Sequence, residues 1–334
     1  MSDQSIQESL FQQIREKLGT ETRVVEVIAE LLHVSNDSAY RRIRNETPLV
    51  LEEARVLCNA FDLSLDFFLH KKTDTVSFST FLLHQKEQNF EKYLEAILHD
   101  LEHIAACQDK HIICLSKDLL FFYNFTFRSI FAFRNFFWMK SIVQHPDFVH
   151  KQFSADLLTP EIEKLGKQII QTYNSIPSFE IWNAECINSL ISQVEYYKKA
   201  GYFKKPADAN EIYNDLRALI DHLKLQAETG VKLMPGENFQ LKKNNLMFFY
   251  NRLTLGDNSI LVSANGKKSA YLNYEVLNYI VTHDEAFCNN LHTNMQALIK
   301  RSTILSNVSE KQRNIFFNIL YKKIPVRIST NTMQ

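Results

Sequence analysis

Apolar residues along this chain recur mostly at helical spacing, so helix is the prevailing expectation. Leu10, Ile14 and Leu18 mark one face of a helix predicted over residues 5–18, and further helices are predicted over 22–32, 35–44 and 51–61. A short turn of helix at 65–69 and a polar linker at 71–75 come next. The helix beyond them, about 81–108, carries Phe90, Leu94, Ile97, Leu101 and Ile104 at spacings of 4, 3, 4 and 3. That is the seam of a coiled coil. It predicts a dimerisation helix, although the same stripe also suits packing against a helix of the same chain. Residues 160–173, 181–200 and 209–229 read as helices, set off by Pro177, Gly201, Pro206 and Gly230.

After Pro235-Gly236 the texture changes. LMFFYNRLTL within 245–255 is rich in strand formers, and Asn265-Gly266 between two alternating runs is a two-residue hairpin signal. A further strand at 275–281 and helices at 284–302 and 309–323 close the chain. The expectation is a mainly α protein: an N-terminal helix-turn-helix bundle, a long helical middle region and a small C-terminal α+β unit with a β-hairpin. Its predicted parts are residues 1–70, 71–110 (linker and coiled-coil-like helix), 111–234 (helical regulatory region) and 235–334. The scarcity of glycine, seven residues in all, excludes Gly-rich phosphate loops and argues against a large sheet with tight strand-to-helix turns.

The segment 119–143, LLFFYNFTFRSIFAFRNFFWMKSIV, is long enough to span a bilayer. Arg128 and Arg134 lie inside it, and each costs roughly 2.5–3.5 kcal/mol at a bilayer centre. It is therefore expected to be a deeply buried aromatic segment with a short strand at 111–115 before it, and no membrane partner is expected.

The most informative stretch is VSNDSAYRRIRN at 34–45, preceded by the apolar helix VVEVIAELL at 24–32. Ser35 is a good N-cap for the second of the two helices, and Ala39 and Ile43, four apart, share a buried face. Asn36, Asp37, Ser38 and Tyr40 are then candidates for contact with base edges in a major groove. Arg41, Arg42 and Arg44 are candidates for phosphate contact. In order and spacing, VVEVIAELLHVS, SNDSAYRRIRNE, LEEARVLCNAF and LSLDFFL resemble the helix-turn-helix domain of Cro/C1-type (Xre-like) bacterial regulators, most closely the BetR-like variant. The resemblance covers residues 5–69. Asn45-Glu46 stands where relatives often carry glycine, and Asn tolerates the left-handed conformation that such a position needs. The resemblance implies sequence-specific binding of double-stranded DNA, as a homodimer on paired half-sites.

Charge qualifies this picture. The chain as a whole is neutral, and its first 70 residues carry seven Lys/Arg against twelve Asp/Glu, a balance of −5. Affinity for DNA is thus expected to be modest and salt-sensitive, and to rest on dimerisation and base reading. The same acidity keeps a second class open, in which the fold docks protein, as in an antitoxin or anti-activator. The five cysteines are scattered and no leader is apparent at Met1, which favours a reducing cytoplasm. His99, His103, Cys107 and His111 form a stripe at spacings of four that suits either a metal site or an ordinary surface. No metal or other cofactor is expected. No nucleophile, metalloprotease or phosphate-loop motif stands out, so no enzymatic activity is expected. The region beyond the N-terminal module is expected to take a small-molecule or peptide effector.

Overall fold

The computed structural model describes residues 5–18, 21–61, 63–65, 68, 76–81, 90–253 and 256–325. The predicted linker at 71–75, most of the turn at 65–69 and the opening of the helix predicted over 81–108 lie outside the described residues. Two compact units divide the chain, Met1–Ser77 and Phe78–Gln334.

In the first unit four helices, α1 (Ile6–Leu18), α2 (Glu21–Leu32), α3 (Asn36–Ile43) and α4 (Leu51–Ala60), enclose a core that includes Leu10, Phe11, Ile14, Val24, Ile28, Ala39, Ile43 and Leu57. Two left-handed residues, His33 (φ 53°) and Asn45 (φ 62°), stop α2 and α3 respectively. Asparagine relieves the cost at position 45, as its short amide side chain adopts this region readily. Gln7 then fastens α1 to the α3–α4 loop. Its amide donates to the carbonyls of Arg42 and Thr47, both at 2.8 Å, and accepts from the Leu49 N–H at 2.8 Å.

The second unit corrects the expected fold class. Among the described residues it holds an eight-stranded mixed sheet. The strands are β1 (Ser79–Phe81), β2 (Lys110–Ser116), β3 (Ser178–Trp182), β4 (Leu246–Tyr250), β5 (Ser259–Ala264), β6 (Lys267–Asn273), β7 (Tyr279–Thr282) and β8 (Thr303–Ile304). Their order is β1-β7-β6-β5-β2-β3-β4-β8, with β2, β3 and β4 parallel and the other pairings antiparallel. This is an α/β architecture and not a mainly α chain with a small C-terminal addition. The strands after residue 235 do not form a unit of their own, because β5 pairs along β2 (Ile112 opposite Val262) and β4 along β3 (Ile181 opposite Phe249).

Helices cover both faces. They are α5 (Phe90–Ala106), α6 (Arg128–Phe137), α7 (Pro146–Val149), α8 (Pro160–Ser175), α9 (Asn188–Lys199), α10 (Pro206–Thr229), α11 (Glu285–Arg301) and α12 (Glu310–Lys323). Side chains alternate across a strand. Ile113 and Leu115 of β2 therefore pack with Ile181, Phe249, Leu261 and the α11 residues Cys288 and Met295, whereas Ile112 and Cys114 enter the larger core on the opposite face. That core takes up the aromatic segment as a 3₁₀ turn (Phe121–Phe125), α6 and a π-helical turn (Trp138–Ile142). Among the described residues no helix is long and apolar enough to cross a membrane.

The predicted dimerisation stripe also needs correction. Phe90, Leu94, Ile97 and Leu101 are buried in the unit's own core, and Ile104 packs against it. The apolar face of α5 is consumed inside the chain and is not offered to a second copy.

Candidate functional site

Two places carry chemistry, one in each unit. In the first, α3 begins at Ser35, whose hydroxyl accepts from the Ser38 N–H at 3.3 Å. With Ala39 and Ile43 buried beneath, Asn36, Asp37, Tyr40, Arg41 and Arg44 are exposed, and Ser38 is half-buried. Arg41 pairs loosely with Asp37 (3.1 Å), and Arg44 lies near Glu46 (3.5 Å) and over the Tyr40 ring. Such exposed pairs are worth little and yield readily to another anion.

Arg42 differs. It is turned inward, and its Nε and Nη2 donate to both oxygens of Glu53 on α4, at 3.0 and 2.9 Å. Its Nη1 donates to the Ser38 carbonyl at 3.1 Å. The pair raises the arginine's pKa and lowers that of the glutamate, through the side-chain hydrogen bonds first. Of the three expected phosphate contacts, the structure leaves Arg41 and Arg44 presented and commits Arg42 to holding α3 on α4.

The second place is a cavity of about 540 Å³ in the sheet unit. Its walls come from α5, the Lys117–Asn124 side of the aromatic segment, Trp138 and the strands β5, β6 and β7. Three residues of the expected seam, Ile97, Leu101 and Ile104, form part of its apolar wall. Arg134, only 3% exposed, lines it too. Its Nε donates to Asn124 Oδ1 (2.9 Å), its Nη1 to Gln193 Oε1 (2.6 Å), and Nη2 lies 3.6 Å from Asp118. Burial lowers the guanidinium's pKa and Asp118 opposes that. Asp100 of α5 also lines the cavity; burial raises its carboxyl pKa, while His99, His103 and His283 pull it back.

Beside the cavity lies a closed polar cluster with no sequence signature. Glu180, at the centre of β3 and fully buried, accepts from the hydroxyls of Tyr123 (3.0 Å), Tyr173 (2.6 Å) and Ser178 (3.0 Å) and from the Trp182 indole N–H (3.0 Å). Lys232 is fully buried with it, donates to the Tyr173 carbonyl at 2.8 Å and sits 3.7 Å from the Tyr173 ring centroid. Desolvation pushes the lysine down to about 8, against the pull of Glu180. The tyrosine, serine and tryptophan donors all converge on the carboxylate, so the cluster reads as an internal brace between β3, α8 and the aromatic segment.

His99 and His103 meet as neighbouring rings (4.7 Å, edge to face), and the Cys107 thiol donates to the His103 carbonyl. Among the described residues no three His, Cys, Asp or Glu side chains converge as a metal site requires. No family model matches this sequence, and no curated protein matches it significantly.

Proposed function

We propose that the chain is a cytoplasmic, sequence-specific DNA-binding transcriptional regulator of the Cro/C1-type helix-turn-helix class, with an effector-taking unit at residues 78–334. The observation that carries this reading is the presentation of α3. It is a capped helix with two buried anchors and a contiguous exposed face of Asn36, Asp37, Tyr40, Arg41 and Arg44. Polar residues lead that helix and arginines end it, which suits base edges for the first group and phosphates for the second. Arg42 supports the face from behind. Homodimeric binding to paired half-sites remains part of the proposal, through a surface other than the α5 stripe.

In-vitro selection from a random duplex library tests it, with the full-length protein beside an Arg41→Ala/Arg44→Ala variant. A motif recovered by the first and lost by the second supports the reading, and inverted repeats in the motif support the dimer. The acidic balance of the first 70 residues favours one other reading, a helix-turn-helix that docks protein. Salt separates the two, because a DNA reader loses affinity steeply as salt rises, by a log–log slope of about 0.9 per phosphate neutralised.

A further inference from the structure

The charges lining the cavity do not balance. Among the described residues, Asp100, Asp118, Glu185, Asp257 and Glu275 face only Lys117 and Arg134. Both cations already have carboxylates of their own: Lys117 pairs with Asp257 at 3.0 Å and Arg134 with Asp118 at 3.6 Å. Arg134 is further occupied by Asn124 and Gln193. An anionic ligand would have to displace these partners and then sit among the remaining carboxylates.

Asp100 is the interior member of the surplus. Among the described residues its carboxylate receives no hydrogen bond and no ion pair. The three histidines within electrostatic reach only moderate the upward pull of burial on its pKa. A half-buried carboxylate without a counter-charge is costly, and a neutral ligand does not supply one.

The walls around it are aromatic. Tyr271 and Tyr279 stand 5.8 Å apart, Tyr279 and Tyr93 6.5 Å, Tyr93 and Phe121 6.3 Å, and Phe121 and Trp138 5.7 Å, a continuous run of ring neighbours lining the space. Ring faces attract cations and take apolar groups equally well. The volume, about 540 Å³, is that of a small organic molecule and far exceeds a bare ion.

We propose that this cavity binds an amphipathic organic cation, an ammonium carrying an apolar or aromatic tail, with its charged head at Asp100 and its tail along the ring-lined wall. This deepens the effector half of the proposed function and rests on it. The test contains no DNA, so its failure leaves the DNA-binding half standing, and failure of DNA selection does not bear on it.

The probes are 6-phenylhexylammonium, 6-phenylhexanol and 6-phenylhexanoate, which share one tail and differ in charge. Each is titrated into the full-length protein by calorimetry and by tryptophan fluorescence. Trp138 lines the cavity and Trp182, the other tryptophan, does not. One ammonium is expected to bind per chain, about tenfold or more tighter than the alcohol or the carboxylate, the factor that a single unscreened charge pair of roughly 1.4 kcal/mol provides. Asp100→Asn should erase that preference and leave affinity for the alcohol unchanged. Glu185→Gln, at an exposed rim carboxylate, should keep it. The proposal is overturned if the carboxylate binds as tightly as the ammonium, if the preference survives Asp100→Asn, or if no member of the series binds. Should Asp100→Asn fail to fold, the ranking of the three probes on the unaltered protein still decides.

Discussion

Arg42 and Glu53 lie side by side in a two-pronged pair, Nε to Oε2 at 3.0 Å and Nη2 to Oε1 at 2.9 Å, with both side chains less than one-fifth exposed. The pair joins α3 to α4 behind it. Arg42→Ala is therefore expected to destabilise the N-terminal unit by about 1–3 kcal/mol, the range for a charge-assisted hydrogen bond whose partner is left behind. Arg41→Ala and Arg44→Ala should each change stability by less than about 0.5 kcal/mol and weaken DNA binding instead. Urea unfolding and a binding isotherm on the same samples separate the two roles. Because the pair lowers the Glu53 pKa, its contribution is full above the ordinary glutamate range and is lost as pH falls through the folded value.

Lys232 supplies a second pH signature, set at the alkaline end. Its folded pKa, about 8, lies below the ordinary 10.5, so between those values the unfolded chain holds more protons and stability rises with pH. Unfolding free energy of the parent protein should gain on that of Lys232→Met by roughly 2–3 kcal/mol from pH 7 to about pH 10.5. The comparison with Lys232→Met cancels tyrosines and cysteines that titrate in the same range. A flat difference across that window would show that the folded lysine keeps its proton just as the unfolded one does.

Gly166, within α8, meets Phe131 and Phe125. A Cβ built there would fall 2.5 Å from Phe131 Cε1 and 2.9 Å from Phe125 Cδ1. Those rings are locked edge to face, 4.7 Å apart. Alanine would gain about 1 kcal/mol of helix propensity, against roughly 1–3 kcal/mol for overpacking a rigid core. Gly166→Ala is expected to lower the thermal midpoint, and a rise would mean that the rings give way.

Leu94 is fully buried in the core that it shares with α8 and the aromatic segment. Leu94→Ala should cost about 2–5 kcal/mol and leave the sedimentation behaviour of the folded fraction unchanged. A variant of normal stability that had lost a dimer would return the α5 stripe to the interface role that its heptad spacing suggests.

Much of the N-terminal unit is legible in its sequence because the signals are local. Ser35 caps the helix three residues before Ser38, Ala39 and Ile43 fall on one face, and Asn45 takes the left-handed turn. The hairpin at Asn265-Gly266 is equally local, with both residues at positive φ. The sheet is not. Residues 181–200 read as one helix, whereas Ile181 and Trp182 end a strand and the helix starts at Asn188. A buried acid at Glu180 breaks the apolar run that marks an interior strand, and its satisfaction by Tyr123, Tyr173 and Trp182 depends on tertiary placement. Scarce glycine misleads for a related reason. The loop after β2 is secured by side chains, with Asn258 Oδ1 accepting from the Lys117 and Asp118 N–H groups at 2.8 and 3.0 Å. The a/d spacing of α5 does mark a packed seam, but periodicity does not say which helix fills it. The cavity leaves no local trace at all, because its walls are drawn from segments between Tyr93 and Tyr279.

The pairing of Ile112 with Val262 sets a schedule for synthesis. A ribosome adding about 5–20 residues per second takes on the order of 10–30 s to cover the intervening stretch. Throughout that time β2 has emerged with one edge unmatched, and for the first part of it the apolar stripe of α5 also waits for α8. The N-terminal unit has no such dependence, since it is compact within residues 1–77. Nascent chains halted between the first unit and the β5–β6 hairpin should therefore display a finished α3 on a sticky, chaperone-dependent tail, and stop variants in that interval should be recovered as aggregates rather than as shorter soluble chains.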